Sequence, residues 1–94
     1  MDISGLRKII SRLDLNGRKW YKVWDYDVYR VSYSGYIVLL HREYPFEFTS
    51  TYGANHDLSY SGCLYGTANE ALTLDEAKDK IIKQHKEFVN WYKN

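Results

Sequence analysis

The most regular pattern of apolar and polar positions in this chain lies near its C-terminus and predicts a long helix. After Thr73, apolar side chains recur every three or four residues among charged ones, and this stripe consists of Leu74, Ala77, Ile81, His85 or Phe88, and Tyr92. Such spacing places the stripe on one side of a helix, which must then pack against another element. Thr73 and Glu76 have the separation of a capping box, so the helix is predicted to begin there.

The rest of the chain divides into a second helical pattern and a block of alternating residues. Residues 3–14 carry apolar side chains at helical spacing and predict a short first helix. Alternation in the Tyr-, Trp- and Val-rich block predicts strands over residues 20–24, 28–33, 36–41 and 46–52, with Cys63–Gly66 returning as a short fifth strand. Turns are predicted at Asp25–Asp27 and Ser34–Gly35, and a loop over Gly53–Gly62. The run from Tyr36 to Leu40 is apolar at nearly every position, which indicates the central strand.

These elements predict a single α+β domain over residues 1–94 with the order α-β-β-β-(β)-α. The strands form an antiparallel meander of three to five members, because short connections join them in sequence. A short N-terminal helix and a long C-terminal helix are expected to pack together on one face. The opposite face of the sheet would then stay open.

The amino-acid composition adds one observation, which is a surplus of aromatic residues. Apolar residues make up 45% of the 94 residues and charged residues 27%, which is ordinary for a globular protein, but ten residues are tyrosines. Tyrosine combines a large contact area with a polar tip, so this surplus suits a binding surface.

The net charge and the lack of targeting signals argue against two classes of protein, those that mainly bind a nucleic-acid backbone and those that are secreted or span a membrane. The formal net charge is +1, whereas a protein that mainly binds a nucleic-acid backbone usually carries a clear positive excess. Cys63 is the only cysteine, which favours a reducing compartment. The first residues lack the pattern of a signal peptide, and no apolar run approaches the roughly 20 residues of a membrane span. We therefore expect a cytoplasmic protein that does not enter a membrane.

No arrangement of reactive residues predicts an enzyme. Cys63 could meet His41, His56 or His85, but nothing in the sequence marks it as an activated nucleophile. Neither a Cys-x-x-Cys pair nor a His-x-x-x-His pair is present, so no metal ion or other cofactor is expected. His85 is interpreted as a packed, hydrogen-bonded residue of the last helix.

Two kinds of binding surface are compatible with the sequence, and the first would contact a protein. Aromatic residues beside turn-forming residues are the ones least suited to the core, so they are candidate anchors for a partner. These candidate contacts are Tyr26, Tyr44, Tyr52, His56 and Tyr60. A homodimer, formed through an unpaired strand edge or the open sheet face, remains a further possibility.

The alternative surface would contact nucleic acid. Basic and aromatic residues alternate in Lys19, Trp20, Lys22 and Trp24, which suits base stacking combined with phosphate contacts. The order of elements also resembles that of the double-stranded-RNA-binding domain, a family that grips phosphates with basic residues at the start of its last helix. Here that helix begins with Asp75 and Glu76, and Lys78 is the one basic residue at the matching positions.

The meander from Trp20 to Leu40, followed by the capped helix from Thr73 to Lys86, resembles small accessory proteins of phages and prophages, including anti-CRISPR-like inhibitors. The resemblance implies a non-enzymatic protein that acts by stoichiometric contact with a host or phage protein. It transfers no functional residue of a particular family.

Overall fold

A computed structural model describes residues 4–12, 19–31, 35–52, 58–64, 66 and 72–93. The elements in chain order are α1 (Ser4–Arg12), β1 (Trp20–Val23), β2 (Tyr26–Arg30), β3 (Tyr36–His41), β4 (Phe46–Tyr52), β5 (Leu58–Leu64) and α2 (Leu74–Lys93). The predicted α+β class, with a short first helix and a long last one, is confirmed. The predicted turn at Ser34–Gly35 falls largely outside these residues.

The five strands form one antiparallel sheet in the order β1-β2-β3-β4-β5. Each strand pairs with its neighbour in sequence, so the sheet is a meander. The central strand β3 is buried on both faces, as its unbroken apolar run predicts. The edges of the described sheet are β1 and β5.

The two helices lie on opposite faces of the sheet, so the expectation that both share one face is wrong. Ile37 and Leu39 of β3 belong to the cluster that contains Ala77 and Ile81 of α2. Tyr36 and Val38 belong instead to the cluster of Leu6 and Ile10 from α1. Successive residues of a strand point to opposite faces of the sheet. Because β3 is apolar on both faces, each face needs a helix to cover it, and this is why the expectation fails. The sheet is therefore the middle of three layers.

The start of α2 has the predicted cap. The Glu76 amide donates to Thr73 Oγ1 at 3.2 Å, and the Ala77 amide donates to the Thr73 carbonyl at 2.9 Å. Ala77, Ile81 and His85 are the buried members of the stripe, whereas Trp91 and Tyr92 are exposed. The last turns of α2 therefore present aromatic side chains to solvent.

Several element boundaries differ from the predictions, most clearly at the β1–β2 turn and at the start of β5. The β1–β2 turn is made by Trp24 and Asp25, and Tyr26 already pairs with Val23. Trp24 has φ 56°, the left-handed region that favours glycine. Strand β5 begins at Leu58 rather than at Cys63, because the small polar residues of the predicted loop can alternate along an edge strand as well as form a turn. In the part of the chain that is described, no helix is long and apolar enough to cross a membrane.

Candidate protein-binding groove

An open groove lies where the chain passes from β3 to β4, at the end of the sheet beside the start of α2. It has a volume of about 720 Å³ and is lined by Leu40, His41, Arg42, Glu43, Tyr44, Pro45 and Leu74. The lining combines an aromatic ring and aliphatic side chains with both signs of charge. We call this feature the Tyr44 groove.

A β-bulge positions the strand that leads into the groove. The register of β3 with β4 shifts between Leu39 and His41, so that His41 pairs with Glu47. An extra residue of this kind bends its strand and changes the direction of the side chains beyond it. His41 Nδ1 lies 3.8 Å from Glu47 Oε2 at the exposed surface. The bulge thus turns the chain toward the groove just before Arg42.

Tyr44 is the aromatic residue that the groove presents to solvent, with 55% of its surface exposed. Its hydroxyl donates to the Gly66 carbonyl at 2.9 Å, and its ring meets Phe46 edge to face at 6.4 Å. The peptide bond between Tyr44 and Pro45 is cis. A large side chain whose hydroxyl and ring both contact other residues loses little conformational freedom when a partner binds.

A buried ion cluster fixes the groove to the rest of the fold. Asp27 of β2 is only 4% exposed, and its Oδ2 lies 3.1 Å from Arg42 Nε and 3.4 Å from Lys78 Nζ. The three charges join β2, the β3–β4 connection and α2. Lys78 also lies 5.4 Å from the centre of the Trp20 ring. One carboxylate therefore links the β3–β4 connection, through Arg42, and helix α2, through Lys78, to strand β2.

The other predicted partner contacts do not join Tyr44 in this groove. Tyr26 is 7% exposed and packs in the cluster under α1, so its prediction as a surface residue at a turn is wrong. Tyr60 is half-buried between the rings of Phe48 and Phe88. Tyr52 is the last residue of β4 and pairs with Leu58, and His56 lies outside the described residues.

The residues predicted to bind nucleic acid are divided between the two faces of the sheet. Trp20 and Lys22 alternate with Tyr21 and Val23, and Trp20 packs on the α2 side, against Tyr29 and under Lys78. Trp24 stands at the hairpin tip near Gly5 of α1, on the other side. Lys19 is exposed and lies 5.3 Å from the centre of the Tyr21 ring. These four side chains do not share one surface.

No family model, curated protein or solved structure matches this chain. Within the described residues, no three His, Cys, Asp or Glu side chains converge as metal ligands.

Sequence reasoning missed the ion cluster. The predicted turn at Asp25–Asp27 places Asp27 at the surface, although the residue lies between the apolar Tyr26 and Val28 at the start of an alternating segment. A carboxylate on a buried face of a strand needs a cation or hydrogen-bond donors beside it. The sequence could not identify the cations that reach Asp27, because Arg42 and Lys78 come from elements distant along the chain.

Proposed function

We propose that this chain is a small non-enzymatic binding protein, which acts by stoichiometric contact with a protein partner at the Tyr44 groove. Tyr44 is the anchor of this contact, and Arg42, Glu43 and His41 form its polar rim. The partner contributes a side chain or a turn that fills the space between Tyr44 and Leu74.

The proposal rests on one observation: the Tyr44 side chain is exposed to solvent and is also held in place by other residues. More than half of the side chain is exposed, yet its hydroxyl and its ring are both held by other residues. Residues that dominate protein interfaces are typically aromatic or Arg side chains surrounded by groups that exclude water. An aromatic ring fixed in advance fits this role better than a mobile one.

The charges around the groove favour a protein over a nucleic acid. Arg42 is neutralised in part by Asp27, and Glu43 and Glu47 add negative charge nearby. A phosphate backbone would meet carboxylates of its own sign there, whereas a protein rim commonly carries both signs. Binding at this groove should therefore respond weakly to salt.

The resemblance to phage and prophage accessory proteins supports a more specific form of the proposal. In that form the chain is an anti-defence inhibitor, and its partner is a host protein complex in the bacterial cytoplasm. The proposal of a protein contact at Tyr44 does not depend on this identity.

The experiment is affinity capture from a bacterial lysate, with and without nuclease, at low and high salt. The baits are the unmodified chain, Tyr44→Ala and Trp24→Ala. The control is well matched, since Trp24 has an exposed fraction of 56%, against 55% for Tyr44, and is one of the residues predicted to bind nucleic acid. We expect one protein to be retained after nuclease and at high salt, and lost only with Tyr44→Ala. Capture of nucleic acid alone, lost at high salt or with Trp24→Ala, would overturn the proposal.

A further inference from the structure

The two edges of the described sheet differ in their protection against strand pairing. At one edge, β1 has four residues, with Lys22 inside it and Lys19 directly before it. At the other edge, β5 has seven residues with no charged residue and no proline, paired to β4 in one unbroken register. Short strands, lysines, prolines and bulges are the devices that keep sheet edges apart. The β5 strand carries none of them.

An aromatic surface adjoins this unprotected edge on the α2 side. Tyr60 of β5 stacks on Phe88 at 5.2 Å between ring centres, and Phe88 lies 6.4 Å from Trp91. Trp91 is 74% exposed. These three rings line an open groove together with Cys63, Gln84 and Glu87. Pairing at the edge would cover part of this apolar surface, which gives association a hydrophobic contribution.

The sequence of β5 is nearly self-complementary when two copies run antiparallel about Ser61. In that register Leu58 lies opposite Leu64 of the other copy, Ser59 opposite Cys63, and Tyr60 opposite Gly62. The two copies of Tyr60 are thus offset along the strands rather than directly opposite each other. No like charges face each other, whereas a self-paired β1 would bring lysines near their own copies.

We propose that β5 pairs with β5 of a second copy of this chain, antiparallel and centred on Ser61, to form a homodimer with one continuous ten-stranded sheet. The two-fold axis is perpendicular to the sheet, because paired residues share a face. Both α2 helices then lie on one side, where the Tyr60–Phe88–Trp91 rings of the two copies flank the axis. The residues that line the Tyr44 groove all lie outside β5, so the inference does not depend on the proposed function.

The first test is the molar mass in solution, measured by light scattering after size exclusion over a range of concentrations. We expect the mass of a dimer for the unmodified chain and of a monomer for Ser61→Lys, because the two lysines would meet at the axis. Ser61 is exposed, and its replacement removes a hydrogen bond to Thr49 Oγ1 without disturbing an apolar contact of the core, so the monomer should remain folded. Asn90→Lys adds the same charge at an exposed position of α2 and should remain dimeric. A monomer at every concentration for the unmodified chain would overturn the proposal.

Cross-linking tests the register without relying on a disruptive substitution. In a Cys63→Ser background, Ser61→Cys places a thiol beside its own copy at the axis, within the span of a disulfide. Ser59→Cys in the same background faces residue 63 of the other copy, which is then serine. We expect oxidation to cross-link the Ser61→Cys chain and leave the Ser59→Cys chain uncross-linked. Equal cross-linking of both chains, or of neither, would contradict this register.

Discussion

Asp27 and Arg42 form an ion pair in which Oδ2 lies 3.1 Å from Nε, with the carboxylate buried and the guanidinium half exposed. Lys78 approaches the same oxygen from α2 at 3.4 Å. A single buried carboxylate thus connects the strand, the helix and the connection that carries Tyr44. This arrangement anchors the exposed groove to the folded core.

Removal of the Asp27 charge should destabilise the fold and loosen the groove. Asp27→Asn keeps the shape but leaves Arg42 and Lys78 without their shared anion, and we expect a loss of about 3 kcal/mol of unfolding free energy. Arg42→Gln should cost only about 1 kcal/mol, since Lys78 still neutralises Asp27 and Arg42 is partly exposed. Urea denaturation measures both values. Equal losses for the two variants would contradict the central role of the carboxylate.

Burial of His85 should make the fold less stable in mild acid. The residue is 2% exposed, so it is packed as predicted, but neither imidazole nitrogen has a hydrogen-bond partner among the described residues, and the prediction of a hydrogen bond is wrong. Burial lowers the pKa of His85 below its usual 6.5, because a charged ring is poorly solvated in the core. The unfolded chain therefore binds a proton more readily than the folded one. Stability is lost as the pH falls through 6.5 and toward the lowered pKa, by at most about 1.4 kcal/mol per pH unit.

His85→Leu tests this assignment directly. Leucine removes two unpaired polar atoms, so the unfolding free energy at neutral pH should rise by about 1 kcal/mol. The variant should also lose the part of the acid dependence that His85 contributes. Denaturation curves at several pH values, compared with those of His41→Gln at an exposed site, give the answer. An unchanged pH profile in His85→Leu would show that another group causes the dependence.

Alanine should have opposite effects at two glycines. At Gly5, near the start of α1, an added Cβ would lie 3.5 Å from Trp24 Cη2, an ordinary contact. Alanine also has the higher helix propensity, so we expect Gly5→Ala to stabilise by about 0.5 kcal/mol. At Gly62 the same atom would lie 3.0 Å from the buried Phe48 ring, and Gly62→Ala should destabilise by roughly 1–3 kcal/mol. Thermal unfolding compares the two, and a stabilised Gly62→Ala would mean that the Phe48 ring moves freely.

The sequence was sufficient for the elements of the fold because their signals are local. The Thr73 cap, the stripe of α2 and the alternation of the strands each follow from residues close together in the chain. The placement of α1 was also within reach. Val38 and Leu39 are adjacent apolar residues of the predicted central strand, so they point to opposite faces, and this favours a cover on each face.

The site was less predictable because its residues come together from distant parts of the chain. Tyr44 could be selected from its position before the only proline, Pro45. The hydrogen bond that holds the Tyr44 hydroxyl could not be predicted, because its acceptor is the carbonyl of Gly66, which follows β5 in the chain. For Tyr26 a local signal was misleading. The predicted turn at Asp25–Asp27 includes Tyr26, whereas the actual turn is made by Trp24 and Asp25, so a core side chain was assigned to the surface.

The most direct test of the Tyr44 groove is the affinity of the purified chain for its captured protein partner, measured by calorimetry at two salt concentrations. We expect Tyr44→Ala to weaken binding by about 2 kcal/mol, or roughly 30-fold, as is typical of an anchor residue. Tyr44→Phe, which keeps the ring and removes the hydroxyl that donates to Gly66, should weaken it less, and Trp24→Ala should bind like the unmodified chain. An affinity that is unchanged in Tyr44→Ala, or that falls steeply with salt and with Trp24→Ala, would contradict binding at the Tyr44 groove.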